Sequence, residues 1–226
     1  MRIVSAADDM LVKVWDLVLN TEIATIKSGR TTGSTGRATC FTFSKDFKTM
    51  IVGYRDGTIT FFNTQKEFKM IHSVKCGVEL GFENDDDEVN AIVYLTFGGA
   101  TSYLAIGGTS GKLVILDLST MEPCHIEDDF IASETTLLHH RYVPNTDNPC
   151  GQLISINADQ NMLFYEMKES KVSKGSLNKS LSLQRTASIC LYLDEVIDVR
   201  FISENSKYAL LCSNSETLKL LDMDSR

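Results

Sequence analysis

Residues 5–17, SAADDMLVKVWDL, decide the fold. A run of small residues, Ser5-Ala6-Ala7, leads into a tight turn carrying Asp9, and an alternating segment follows that ends in Val14-Trp15-Asp16. Alternation of period two is the mark of a strand, whose successive side chains point to opposite faces. Asp9 suits the turn because a short carboxylate can bond its own backbone two residues on. The stretch therefore reads as a small-residue strand, an Asx-type turn and a strand closed by Trp15.

The same pattern recurs four times, as DGTITFFN (56–63), SGKLVILD (110–117), DQNMLFYE (159–166) and SETLKLLD (215–222). Each copy follows its own small-residue strand: MIVGY, LAIGG, LISIN and ALLCS. Such strands suit a crowded centre where bulky side chains do not fit, and Gly57 and Gly111 supply permissive turn dihedrals. Upstream strands complete the units: ATCFTFS (38–44), VNAIVYLTF (89–97), TTLLHHRYV (135–143) and VIDVRFI (196–202), with turns such as SKDFK and SENSK between them. The large residues at the Trp15 position are Phe62, Leu116, Tyr165 and Leu221, giving a repeat of 47 to 56 residues. A fixed period of this size is the signature of a repeat architecture.

The turn acid, the alternating strand and Val14-Trp15-Asp16 resemble the closing half of a WD repeat. That resemblance implies an all-β fold, a β-propeller of four to five radial blades with both terminal blades incomplete. The structural anchors are then Asp9, Trp15, Asp56, Asp159 and Tyr165. The expected division is a partial blade at 1–28, a blade at 29–76, an acidic loop at 77–88, blades at 89–133 and 134–193, and a partial blade at 194–226. Incomplete ends expose apolar faces and strand edges, so further sequence or another chain is expected to complete the ring. No Gly-His dipeptide precedes a first strand, and Ser110 and Ser215 replace the turn acid. The His-Ser-Asp-Trp network typical of strong WD repeats is therefore not assembled.

Composition limits the function. A net charge of -8 argues against coating nucleic acid non-specifically. The six cysteines lie far apart without a C-x-x-C pair, as expected of reduced thiols in cytosol or nucleus. No apolar run approaches the roughly 20 residues of a membrane helix, and no membrane partner is expected. GGTSGKL (107–113) has the outline of a phosphate loop, but Leu113 stands where a Mg²⁺-binding hydroxyl belongs. His139 and His140 fall on opposite faces of one strand and cannot chelate one metal together. The favoured reading is one partly buried and one exposed histidine. No G-x-S-x-G elbow occurs and no carboxylate pair stands out from the turn acids. No catalytic, metal-ligating or cofactor-binding residue is expected, and the chain does not read as an enzyme.

Two loops break the rhythm. The first, 76–90, holds Glu83, Asp85, Asp86, Asp87 and Glu88 and reads as a solvated loop or as a dock for a basic protein tail. The second, 168–185, carries Lys168, Lys171, Lys174, Lys179 and Arg185 among serines and reads as a flexible insert. Its cations suit RNA phosphates, and phosphorylation at Ser173, Ser176 or Ser180 would cancel them.

NADQNMLFYEM (157–167) and DEVIDVRFISENSKYALLCSNSETLKLLDMDS (194–225) resemble the junction segment of the transducin-beta-like, tandem-propeller WD-repeat subunits of the small-subunit processome snoRNP. The resemblance implies a non-catalytic nucleolar scaffold acting in pre-rRNA processing. Its partners would be other WD-repeat and processome proteins, with contact to pre-rRNA or snoRNA secondary. The alternative is a WD-repeat adaptor that binds a peptide motif in signalling or substrate recruitment.

Overall fold

The computed structural model describes residues 2–29, 34–77, 80–82, 84, 87–97, 102–127, 133–143, 148–171, 179–191, 195–202 and 207–223, without side chains at 170, 171, 179 and 180. These residues form antiparallel strands in five separate sheets, with no α-helix among them. The first sheet holds β1 (Arg2–Ala6), β2 (Leu11–Asp16) and β3 (Thr21–Lys27). The second holds β4 (Ala38–Phe43), β5 (Thr49–Tyr54), β6 (Thr58–Asn63) and β7 (Lys69–Lys75). The third is β8 (Val89–Thr96), β9 (Ser102–Gly108), β10 (Leu113–Asp117) and β11 (Glu122–Glu127). The fourth is β12 (Thr135–Arg141), β13 (Gln152–Asn157), β14 (Asn161–Lys171) and β15 (Lys179–Cys190), and the fifth β16 (Val196–Ile202), β17 (Tyr208–Ser213) and β18 (Lys219–Asp222). The sheets are the five blades of a β-propeller.

The repeat seen in the sequence is a repeat of register. The large residue of each repeat lies opposite an apolar residue of the preceding strand: Trp15 and Ile3, Phe62 and Met50, Leu116 and Leu104, Tyr165 and Leu153, Leu221 and Ala209. Pairing with the outer strand slips just before that residue in blades one to four, at Val14/Trp15, Phe61/Phe62, Ile115/Leu116 and Phe164/Tyr165. A bulge at a fixed register position increases local twist.

Alternation along each strand divides its side chains between the two neighbouring blades. Val12 and Val14 join Met50, Val52 and Phe62 between blades one and two. Ile59 and Phe61 join Leu104, Val114 and Leu116 between two and three. Leu113 and Ile115 join Leu153, Leu163 and Tyr165 between three and four, and Met162 and Phe164 join Val199, Leu211 and Leu221 between four and five. Burying such a side chain contributes about 1.5–3 kcal/mol, so these four interfaces carry the fold. Among the described residues no such cluster joins blade five to blade one.

Crowding at the small-residue strands falls at their glycines, including Gly108, where an added methyl would meet the Glu88 carbonyl oxygen. A methyl group added at Gly107 would lie 2.5 Å from Thr135 Cγ2, and one at Gly53 would lie 2.6 Å from Val89 Cγ1. Elsewhere the same strands hold bulky buried side chains such as Tyr54, Tyr103 and Ile106. Gly107→Val is therefore expected to push blade four away from blade three and cost about 3 kcal/mol by overpacking. A urea titration checks this, with Gly29→Ala, which meets nothing within 4 Å but sits at φ +149, as a test of backbone strain alone.

The flexible insert expected over 168–185 is corrected at 168–171 and 179–185, which are strand, while 172–178 lie outside the described residues. Strands β14 and β15 pair from Asn161 opposite Cys190 to Lys171 opposite Lys179, with the one slip at Phe164/Tyr165. Met167, Leu181 and Leu183 are buried in the cluster between blades three and four. Lysine and serine dominate the composition, but these three apolar residues anchor the hairpin against blade three.

Candidate functional site

Each of blades two to five ties the turn after its second strand to the segment that leads into its first. In blade two the Asp56 carboxylate accepts from Ser34 Oγ (2.9 Å) and from the N–H groups of Thr35 (2.7 Å), Gly36 (3.3 Å) and Thr58 (3.2 Å). In blade three Thr109 Oγ1 donates to Asp87 (3.4 Å) and accepts from the Glu88 N–H (3.3 Å). In blade four the Asp159 N–H donates to Ser133 Oγ (3.0 Å) and Asn157 Nδ2 to the Ser133 carbonyl (2.9 Å). In blade five Asn214 Nδ2 donates to Glu195 Oε2 (3.0 Å). One joint is thus built four ways, in place of the histidine network of strong WD repeats.

Burial opposes charge on Asp56, but hydrogen bonds from Thr35, Ser34 and Thr58 outweigh it and hold its pKa below the ordinary carboxylate value. A carboxylate depressed on folding stabilises above its unfolded pKa, and that contribution is lost as pH falls through the folded pKa. Asp56→Ala leaves several donors without an acceptor and is expected to cost about 2 kcal/mol at pH 7. Urea midpoints should show the deficit of the variant shrinking below about pH 4.

The other sequence-derived residues sit as follows. Asp9 accepts the Leu11 N–H at 3.0 Å, and Asp159 accepts the Asn161 N–H at 3.3 Å, each bracing its hairpin turn. Tyr165 is buried, and burial pushes its hydroxyl pKa up. Trp15 is half-buried: its Nε1 donates to Ser5 Oγ at 3.1 Å, and Lys13 Nζ lies 5.5 Å from the ring centroid. Phe62, Leu116 and Tyr165, at the same register position, are covered by the preceding blade.

In the acidic loop, Asp87 is buried and Glu88 pairs with the Arg55 guanidinium. Asp87 serves the joint within blade three through Thr109, and Glu88 links blade three to Arg55 of blade two. Glu83, Asp85 and Asp86 lie outside the described residues, as does Lys174. Lys168 reaches Gln184 (3.1 Å) and Glu166 (3.2 Å), Arg185 lies opposite Tyr165, and Lys171 lies opposite Lys179. The cations are thus spread along a hairpin, with Lys171 and Lys179 together at its far end.

Neither His139 nor His140 is exposed, which corrects the expectation of one partly buried and one exposed ring. His139 lies edge-on to Phe201 of blade five, and His140 donates through Nε2 to the Cys150 carbonyl (2.9 Å) and meets Phe97 of blade three. Blades on both sides of β12 cover the strand, and burial lowers both pKa values. None of the six cysteines forms a disulfide, and burial pushes the Cys40 thiol up to about 12, leaving it a poor nucleophile. Among the described residues no group of three or more His, Cys, Asp or Glu is placed to hold a metal.

The feature that motif reading missed is aromatic. Phe41, Phe43 and Phe47 form a ridge with ring centroids 6.2 and 5.9 Å apart. Phe47 is 70% exposed and has φ 56, an uncommon conformation for a bulky residue. The ridge walls a groove of about 650 Å³ whose other side is Ile3, Val4 and Val14 of blade one. The signal lay in the three phenylalanines of ATCFTFSKDF, read only as strand and turn.

A propeller whose blades present turns, edges and an aromatic groove is built for contact with other proteins. No protein-family model matches the chain. Similarity along almost the whole of it does exist. It is to transducin beta-like protein 3. The Rattus norvegicus protein of that name is 23% identical over 226 residues, 98% of this chain and 25% of the relative. Transducin beta-like protein 3 of Bos taurus is 24% identical over the same share of each. The chain spans about a quarter of the length of these relatives. The likeness to transducin beta-like protein 3 is weak in identity and runs through all five blades.

Proposed function

We propose that the chain is a non-catalytic scaffold module of the small-subunit processome, acting in the nucleolus in pre-rRNA processing and ribosome biogenesis. The observation that carries this reading is the match to transducin beta-like protein 3 over 98% of the chain. It is supported by the likeness of 157–167 and 194–225 to the processome's tandem-propeller subunits. Direct partners are other WD-repeat and processome proteins, which dock on blade edges and turns. Contact with pre-rRNA or snoRNA is secondary, through the hairpin cations Lys168, Lys171, Lys179 and Arg185, with Lys174 in the intervening segment. The acids Glu83, Asp85 and Asp86 are proposed as a dock for a basic tail.

The test is purification of the tagged protein from cells, followed by identification of bound RNA and proteins. Enrichment of box C/D snoRNA with other WD-repeat subunits supports the reading, as does accumulation of uncleaved small-subunit precursor on depletion. Recovery of signalling or substrate proteins through one short peptide motif, without snoRNA, replaces it with the adaptor reading.

A further inference from the structure

A pocket of about 420 Å³ lies between blades two and three, each a four-stranded sheet. Ser44 and Thr49, on either side of the β4–β5 turn, line it from blade two, and Leu118 and Met121 of the β10–β11 turn line it from blade three. Its cause is a change of residue size between one joint and the next. Ser44 and Thr49 face each other as Leu95 and Tyr103 do in blade three, and those two are 0% exposed in the cluster between blades three and four. On the opposite wall Leu116 stands in the register of Tyr165. The extended β14–β15 hairpin also adds Leu181 and Leu183 to the later joint, whereas β10 ends at Asp117 and turns back into β11 at Glu122. Small hydroxyl residues thus leave open in one joint what leucine and tyrosine fill in the next.

We propose that this pocket binds the tyrosine side chain of an acidic segment of a partner protein. Ile51, Phe61, Leu118 and Met121 give it apolar walls, and the hydroxyls of Ser44, Thr49, Tyr94 and Ser102 share the lining. Tyrosine has the matching halves, a ring that gains from burial and a hydroxyl that both donates and accepts. Tyr103 shows the fit at the next joint: its ring stacks on Phe97 with centroids 5.8 Å apart, and its hydroxyl donates to Glu169 Oε1 at 3.5 Å. The lining runs outward onto Ile71, which is 55% exposed, beside Met70 at 39%. A free phenol leaves that apolar rim bare, whereas a chain that carries the ring covers it. Charge then narrows the partner. The two turns at this end of blade two carry the exposed Lys45, Lys48, Lys66 and Lys69 against Asp46 and Glu67, and blade three adds Glu122, in a chain of net charge -8. A local surplus of cations on an acidic protein favours a partner segment with acids beside its anchor. The scaffold reading supplies only the choice of a protein as ligand, and loss of snoRNA co-purification would leave the pocket's chemistry standing.

The probe is the capped peptide Glu-Asp-Leu-Tyr-Asp-Glu, titrated into the purified protein and followed by NMR of the methyl groups of Ile51, Ile71, Leu118 and Met121. Beside it run the same peptide with alanine in place of tyrosine, one with lysine in place of every acid, and p-cresol as the free phenol. Saturable shifts of those methyls are expected with the first peptide. Binding should weaken about tenfold with alanine and about threefold or more with lysine flanks, the second difference fading at about 1 M salt. Thr49→Tyr gives blade two the residue that fills the equivalent space in blade three, and should abolish binding while the urea midpoint holds. Ile71→Asp, an exposed change at the rim that leaves the cavity open, should weaken binding about tenfold and serves as the second variant. Absence of saturable shifts, equal binding of the tyrosine and alanine peptides, or binding that survives both variants overturns the proposal. So does p-cresol binding as tightly as the peptide, which assigns the pocket to a free phenol, and so does tighter binding of the lysine-flanked peptide.

Discussion

Replacing Phe164 with alanine lowers the stability of the fold by about 3–5 kcal/mol, the range for deleting a fully buried aromatic ring. Phe164 is 0% exposed and lies on the face of β14 that meets blade five, among Ile154, Met162, Val199 and Leu211. Among the described residues the hydrophobic cluster of blade five is shared with blade four alone. The cavity therefore weakens one joint, and in an architecture of neighbour-to-neighbour contacts the damage stays local before it spreads. Hydrogen exchange should accelerate first in β16, β17 and β18, while β5 and β9 keep their protection. Urea denaturation supplies the total, and Leu220→Ala is the control. Leu220 is 62% exposed on the uncovered face of blade five, and its removal should change stability by less than about 0.5 kcal/mol.

The propeller was legible because its rules are local. Period-two alternation, a turn Asp or Ser and a large residue on the strand after the turn recur every 47 to 56 residues, and each recurrence proved to be the same register. What a residue meets on the next blade is not local. ATCFTFS and VNAIVYLTF read alike as inner strands, yet Phe41 is half exposed and Ile92 is buried, because the difference lies in whether a neighbouring strand covers the position. Asp87 looked like one more acid in a charged run, and its burial comes from Thr109, more than twenty residues away. The turn joints were half legible. Asp56 and Asp159 were visible as turn acids, but their partners Ser34 and Ser133 belong to connecting segments with no pattern of their own.

Composition misled most at 168–171 and 179–185, and Leu181→Asp measures by how much. Leu181 is 0% exposed, buried with Met167 and Leu183 against blade three, where Tyr103 also reaches Glu169 through its hydroxyl at 3.5 Å. An aspartate there must either lose its solvation or expose itself by lifting the hairpin. Lifting forfeits the burial of three apolar side chains, about 1.5–3 kcal/mol each, and a buried unpaired carboxylate costs several kcal/mol as well. Stability should fall by about 4 kcal/mol, with blades three and four losing cooperativity together. Trypsin should then cut after Lys168 and Arg185, bonds protected in the parent by the β14–β15 ladder. Lys168→Ala, an exposed change on the same hairpin, should leave both the urea midpoint and the cleavage pattern unchanged. A flexible insert makes the opposite forecast at each point: Leu181→Asp would be silent, and the parent would already be cut at both sites. The two accounts thus separate on a single digest, because composition reports how many polar residues a segment holds and only the strand register reports where its few apolar ones go.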